Sequence, residues 1–280
     1  MQPIAAKPLG VIDLLDGAFA ALRQRARVIV AIVAGLVVPV SIFQGWISRD
    51  DLGGANLNDF LNDPTIAQEV SDPAAAYDLA FFVGQGLGLL TTAIAGVAVS
   101  HVVYGWFEGR DVTISEAITF TVRRMGAIVG AFVVIHVIEG LGFIAVIIPG
   151  LIVIVLSSLT SPVLAVETQL GPVEAMRRSW ELVRRRSGPI VGLIVLLGTV
   201  GYAVSQAVGT LPEFVALVVG PDRAWPLVAV ANLLTSIILI PVTGAAMCLA
   251  YLDIRFRTEG LDLQRRIEIE FPAVEAVPEP

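Results

Sequence analysis

The chain has 280 residues, 56% of them hydrophobic and only 15% charged, with a mean hydropathy of +0.81. Soluble domains carry roughly 45–50% apolar and about 25% charged residues, so an ordinary water-soluble globule is excluded. The formal charge is −7, an average that hides a segregation of sign, and the single cysteine, Cys248, excludes an internal disulfide and any zinc-type cysteine spacing.

In chain order, a helical segment precedes the first apolar run, which starts near Val28. No small-residue cleavage site ends that run, so no cleavable signal peptide is expected. A helix needs about 20 apolar residues to cross a bilayer. Six runs read as spans: 28–47, 79–107, 127–148, 151–166, 190–208 and 225–251. The second is long enough to tilt. Pro149-Gly150 separates the third from the fourth and reads as a tight hairpin turn. The fourth is short, so it tilts into protein or takes in flanking residues.

With the N-terminus placed in the cytoplasm and the spans alternating, 16 of the 18 Lys and Arg fall on the cytoplasmic side; Arg49 and Arg223 stay outside. This is the bias of the positive-inside rule, and it puts both termini inside. The external segment 48–78 carries seven acids against one Arg and reads as a small cap or a solvated loop. The acidic, Pro-rich residues 267–280 read as a disordered tail after a single membrane domain, 1–266.

The first segment repeats. Residues 12–36 align without gaps over 173–197: Asp13 falls on Glu174, and Ile12, Leu15, Phe19 and Leu22 fall on Val173, Met176, Trp180 and Val183. Arg23-Gln-Arg25 falls on Arg184-Arg-Arg186. A looser copy, 113–135, needs a deletion of about three residues. The 3, 4, 3 spacing of the anchors makes one apolar stripe per helix. In 172–187 the other face holds Arg177, Arg178, Glu181, Arg184 and Arg185, with Pro172 at the first helical position and Gly188-Pro189 as the expected break. Thr113 and Glu116 fit a capping box. Such helices lie in the membrane interface. The expected fold is therefore all-α and polytopic, with six transmembrane helices and three amphipathic interfacial helices in pseudo-repeated helix-plus-hairpin units.

Candidate chemistry is sparse. Glu139 sits in the middle of the third span, His136 is three residues earlier on the same face, and His101 lies in the second span. Charge inside a span is costly and often functional. These three could relay a proton, bind a metal or act as acid and base, or simply hydrogen-bond within the bundle. No metal cluster, phosphate loop, nucleophile elbow or cofactor motif appears. GQGLG at 84–88 lies inside a span and reads as a helix-packing GxxxG, as do the pairs Gly126/Gly130 and Gly198/Gly201. Pro39, Pro162 and Pro241 are expected to kink their spans.

Three stretches, IIPGLIVIV (147–155), GPVEAMRRSWELVRRR (171–186) and AYLDIRFRTEGLDLQ (250–264), together with PLGVIDLLDGAFAALRQ at the N-terminus, carry a resemblance. They resemble the membrane domain associated with glycerophosphodiester phosphodiesterases and its free-standing bacterial relatives. Ala175, Ser179, Trp180 and Leu182, then Tyr251, Asp253, Arg255, Arg257, Glu259, Gly260, Asp262 and Leu263, are the residues that carry it. The resemblance implies a helical membrane domain, in some members fused to a soluble phosphodiesterase domain. That catalytic domain is expected to be absent here, because the only histidines lie in spans. Seventeen Arg to one Lys, with abundant Ala, Gly and Val, suggests a bacterial origin.

The leading expectation is a non-catalytic scaffold or accessory component of the bacterial cytoplasmic membrane. It would bind anionic lipid headgroups, or a partner protein, through Arg177, Arg178, Arg184, Arg185, Arg186, Arg255 and Arg257. No cofactor, catalytic residue or metal is assigned, and nucleic acid is excluded because the basic patches sit flush with the membrane. The rivals are a transporter or channel using Glu139 and His136, and an intramembrane lipid enzyme using His101, His136 and Glu139.

Overall fold

The computed structural model describes residues 10–47, 61–62 and 79–260. The acidic segment 48–78, apart from 61–62, and the tail 267–280 lie outside them. The regular elements are α1 (Val11–Ile47), α2 (Leu79–Phe107), α3 (Ile114–Arg123), α4 (Met125–Ala145), α5 (Ile147–Ser157), α6 (Thr160–Val166), α7 (Pro172–Arg185), α8 (Ser187–Val219) and α9 (Pro221–Glu259). Six segments are long and apolar enough to cross a membrane: α1, α2, α4, α5 with α6, α8 and α9. The chain has the build of a multi-pass membrane protein. Helices are what hydrocarbon requires, since each backbone group must find its partner within the segment.

Proline sets three of the helix borders, always by the same rule. α5 starts after Val146, which is extended at φ −166°, ψ 149°. α6 starts after Leu159 and α8 after Arg186. Pro149, Pro162 and Pro189 therefore each take the third position of a new helix. There the missing N–H is one of the orphan donors in any case, and the ring's clash with the carbonyl four residues back falls outside the helix. The hairpin turn expected at Pro149-Gly150 is thus corrected to Val146, and the break expected at Gly188-Pro189 to Arg186. Each proline begins the next helix rather than ending the last. Span four gains Ile147 to Gly150 this way and reaches full length. Pro39 and Pro241 lie inside continuous helices instead; the non-helical residue of α1 is Arg25 (φ −116°, ψ 16°), just before its apolar run begins.

α1, α2, α6 and α9 form the centre, with α1 against α9 the most extensive pairing; α4 with α5, and α8, pack around it. Within the most apolar 18 residues, neighbours bury 56% of α2 and 50% of α9, but 11% of α4 and of α8. Faces such as Val133, Val137 and Leu141 on α4 stay exposed, as lipid-facing or interface surfaces do. Between helices in lipid, close packing replaces the hydrophobic drive. Gly45 of α1 is one example: a Cβ there would lie 2.7 Å from Ala229 Cβ and 2.9 Å from the Trp225 carbonyl oxygen. Gly244 of α9 meets Val99 of α2 in the same way, at 3.0 Å. Of the glycine pairs singled out from sequence, Gly88 meets Gln44 and Gly130 meets Pro172, while Gly126 and Gly198 have nothing within 4 Å.

Candidate functional site

The charged ends of the helices meet at one end of the bundle. Glu167 caps the C-terminus of α6, and its carboxylate accepts from Nε of Arg178 (3.0 Å) and from the Tyr251 hydroxyl (2.8 Å). Arg178 also reaches Glu259 through Nη2, and Arg255 donates to Glu259 (2.8 Å) and to Tyr251 (2.9 Å). Beside this cluster, Asp253 is 3% exposed and takes Arg257 (2.8 Å) and Arg186 (3.2 Å), so the backbone break at Arg186 is pinned to α9. Burial opposes the charge on Arg178, but hydrogen bonds and charge from Glu167 and Glu259 outweigh it and hold the guanidinium above its ordinary value. A third arginine, Arg124, donates to the carbonyls of Thr168 and Leu170, both at 2.7 Å; burial alone pulls it below its ordinary value.

α7 lies on this end and locks the break in span four. Ser179 Oγ donates to the Leu156 carbonyl (2.6 Å) and accepts from the Leu159 N–H (3.2 Å), satisfying two backbone groups freed between α5 and α6. Trp180 Nε1 donates to Ser157 Oγ at 3.1 Å. The buried line of α7 is Ala175, Met176, Ser179, Leu182 and Val183. It is centred one position from the expected stripe, and Val173 is exposed, because small residues occupy the closest contacts and the larger ones flank them. α1 behaves alike: Leu14, Ala18 and Ala21 are buried, whereas Ile12 and Phe19 are exposed. The Thr113 cap is present at 3.2 Å to the Glu116 N–H, but the Glu116 side chain turns to Arg110 rather than closing a capping box.

Of the seven arginines assigned to headgroups, Arg178, Arg186, Arg255 and Arg257 are thus ion-paired inside the protein. Arg177, Arg184 and Arg185 are exposed, without an ion pair among the described residues; Arg184 rests over the Trp180 ring, 5.7 Å from its centroid.

Within the spans, a cleft of about 180 Å³ opens between α2, α4, α5 and α6. His136 and Glu139 line it together with Ser157, Ser158, Thr160 and Ser161. His136 Nδ1 donates to the Phe132 carbonyl (2.8 Å), and its Nε2 stands 3.8 Å from Glu139 Oε2. His101 does not join them. It stacks on Phe120 of α3, centroids 3.9 Å apart, and neither ring nitrogen finds a hydrogen-bond partner. Among the described residues no group of three metal-ligating side chains forms. Sequence reasoning missed Glu167 and the four hydroxyls. The signal for the hydroxyls was SSLTSP, a polar cluster inside an apolar run.

No family model, curated protein or solved structure matches this chain.

Proposed function

We propose that this protein is a non-catalytic scaffold or accessory component of a bacterial cytoplasmic membrane, with both termini inside, that engages anionic lipid headgroups through the exposed face of α7. One observation carries the reading. α7 is fastened to the bundle by Arg178, Ser179 and Trp180, and that leaves Arg177, Arg184 and Arg185 turned away from the protein. A basic helix held rigidly at the membrane face attracts anionic lipid at about 1 kcal/mol per arginine.

The same reading makes α3, α7 and the first part of α1 three interfacial helices in repeated units. In the gap-free alignment, Leu14, Ala18, Ala21, Ile29 and Ile32 fall on Ala175, Ser179, Leu182, Ile190 and Leu193, and all ten are buried. The backbone breaks at Arg25 and Arg186 also coincide. Asp13, Glu116 and Glu174 each take the third position of their helix, where the dipole favours an acid. Kinship with the free-standing relatives of the phosphodiesterase-associated membrane domain is supported by the resemblance residues themselves. Ser179, Trp180, Tyr251, Asp253, Arg255, Arg257 and Glu259 form the contacts that join α7 and α9 to the rest of this face.

The test is extraction into native lipid discs with mass spectrometry of co-purifying lipid and protein. Anionic lipid enriched in the wild type and lost when Arg177, Arg184 and Arg185 are changed to Gln supports the reading. A lipid profile equal to the bulk membrane in both removes it. Orientation is checked by Asp59→Cys, which should react with an impermeant thiol reagent in whole cells, and Arg185→Cys, which should not. Cys248 is buried and silent in this assay.

A further inference from the structure

The cleft within the spans is independent of the headgroup reading, and its chemistry points elsewhere. Glu139 lies about 21 Å along α4 from Met125 and about 9 Å from its other end at Ala145, within the apolar stretch. Because Nδ1 of His136 donates to a carbonyl, the neutral ring presents the lone pair of Nε2 towards Glu139. At 3.8 Å the two are too far apart for a direct hydrogen bond. Without a proton the pair carries one negative charge in hydrocarbon, which is costly. With one proton, on the carboxyl or on Nε2, it is neutral as a whole.

No third titratable group faces the pair among the lining residues. α2 brings only Ala93 and Val97, and α5 and α6 bring hydroxyl and alkyl groups. Thr160 is 5% exposed, and among the described residues its hydroxyl has no hydrogen-bond partner. The cleft's 180 Å³ has room for about six waters at roughly 30 Å³ each.

We propose that this cleft is a proton-binding site, in which one proton resides on the Glu139 carboxyl or on Nε2 of His136 and is reached through the cleft. Binding forms a single O–H or N–H bond and takes the pair from one negative charge to none.

The experiment is infrared difference spectroscopy of the full chain in phosphatidylcholine vesicles, stepped from alkaline to acid pH. The wild type should gain a protonated-carboxyl component that is missing from Glu139→Gln, over and above the bands that the other 24 Asp and Glu give in both. His136→Gln should keep that component and move its midpoint by about one pH unit, as in a coupled pair. Wild-type and Glu139→Gln spectra that do not differ in the protonated-carboxyl region overturn the proposal. So does an unmoved midpoint in His136→Gln, which also decides the matter should Glu139→Gln fail to fold. Sodium chloride against choline chloride separates the proton from a metal ion. A midpoint indifferent to sodium upholds the proposal; one lowered by sodium assigns the site to that ion and overturns it.

Discussion

The two polar regions of this molecule treat charge in opposite ways. At the end of the bundle where α6, α7 and α9 meet, Glu167, Asp253 and Glu259 are each matched by two arginines, and the Tyr251 hydroxyl fills in. In the cleft, one carboxyl faces one imidazole across a gap, and a buried hydroxyl has no partner. A saturated network fixes helices in place but has no capacity left to bind anything. An unsaturated one adds little to packing and retains affinity. The difference separates the residues that build this protein from those with room to work.

Four substitutions press on that contrast, from large effect to small. Glu167→Gln strips the central carboxylate and leaves Arg178 and Arg255 short of a counter-charge. Breaking such a pair costs about 3 kcal/mol, visible as a lowered midpoint of thermal unfolding in detergent. Ser179→Ala orphans the Leu159 N–H and the Leu156 carbonyl at the helix break, for about 2 kcal/mol in the same assay. Thr160→Val removes a hydroxyl that has no protein partner, and should be neutral or stabilising by about 1 kcal/mol. A loss as large as that of Ser179→Ala would show the cleft to be as tightly built as the network and erase the contrast. Arg185→Gln should leave stability within about 0.5 kcal/mol, because the side chain is exposed and has no ion pair among the described residues. A larger drop would place Arg185 among the network arginines.

Spans were legible from apolar run length alone, and the six-fold count follows from it. Borders were not, because proline reads as a break that ends a helix (Pro149, Pro189) or as a kink within one (Pro162). At Pro149, Pro162 and Pro189 it is the third residue of the next one. Helix faces were legible to within one position, since periodicity marks the large apolar residues while Ala18, Ala175 and Ser179 occupy the contact line. The arginines looked alike in sequence. What separates Arg178 from Arg177 is Glu167 and Glu259, and those partners lie 11 and 81 residues away, where no local pattern reaches. His136 and Glu139 were legible as a pair because they share a helix face. Their meeting with Thr160 and Ser161 depends on how α4 packs against α5 and α6.

The pairing of α1 with α9 has a consequence for biogenesis. These are the first and last of the described helices, and their contact is the largest in the fold. Synthesis runs at about 5–20 residues per second, so α1 waits on the order of ten seconds for its partner to emerge. Through that interval α1 has α2 for a neighbour, but the face that α9 will cover meets only lipid or a membrane insertase. The intervening helices can insert one by one, but the centre of the bundle closes only at the end. Nascent chains stalled before α9 should therefore be far more sensitive to membrane proteases than chains stalled after it.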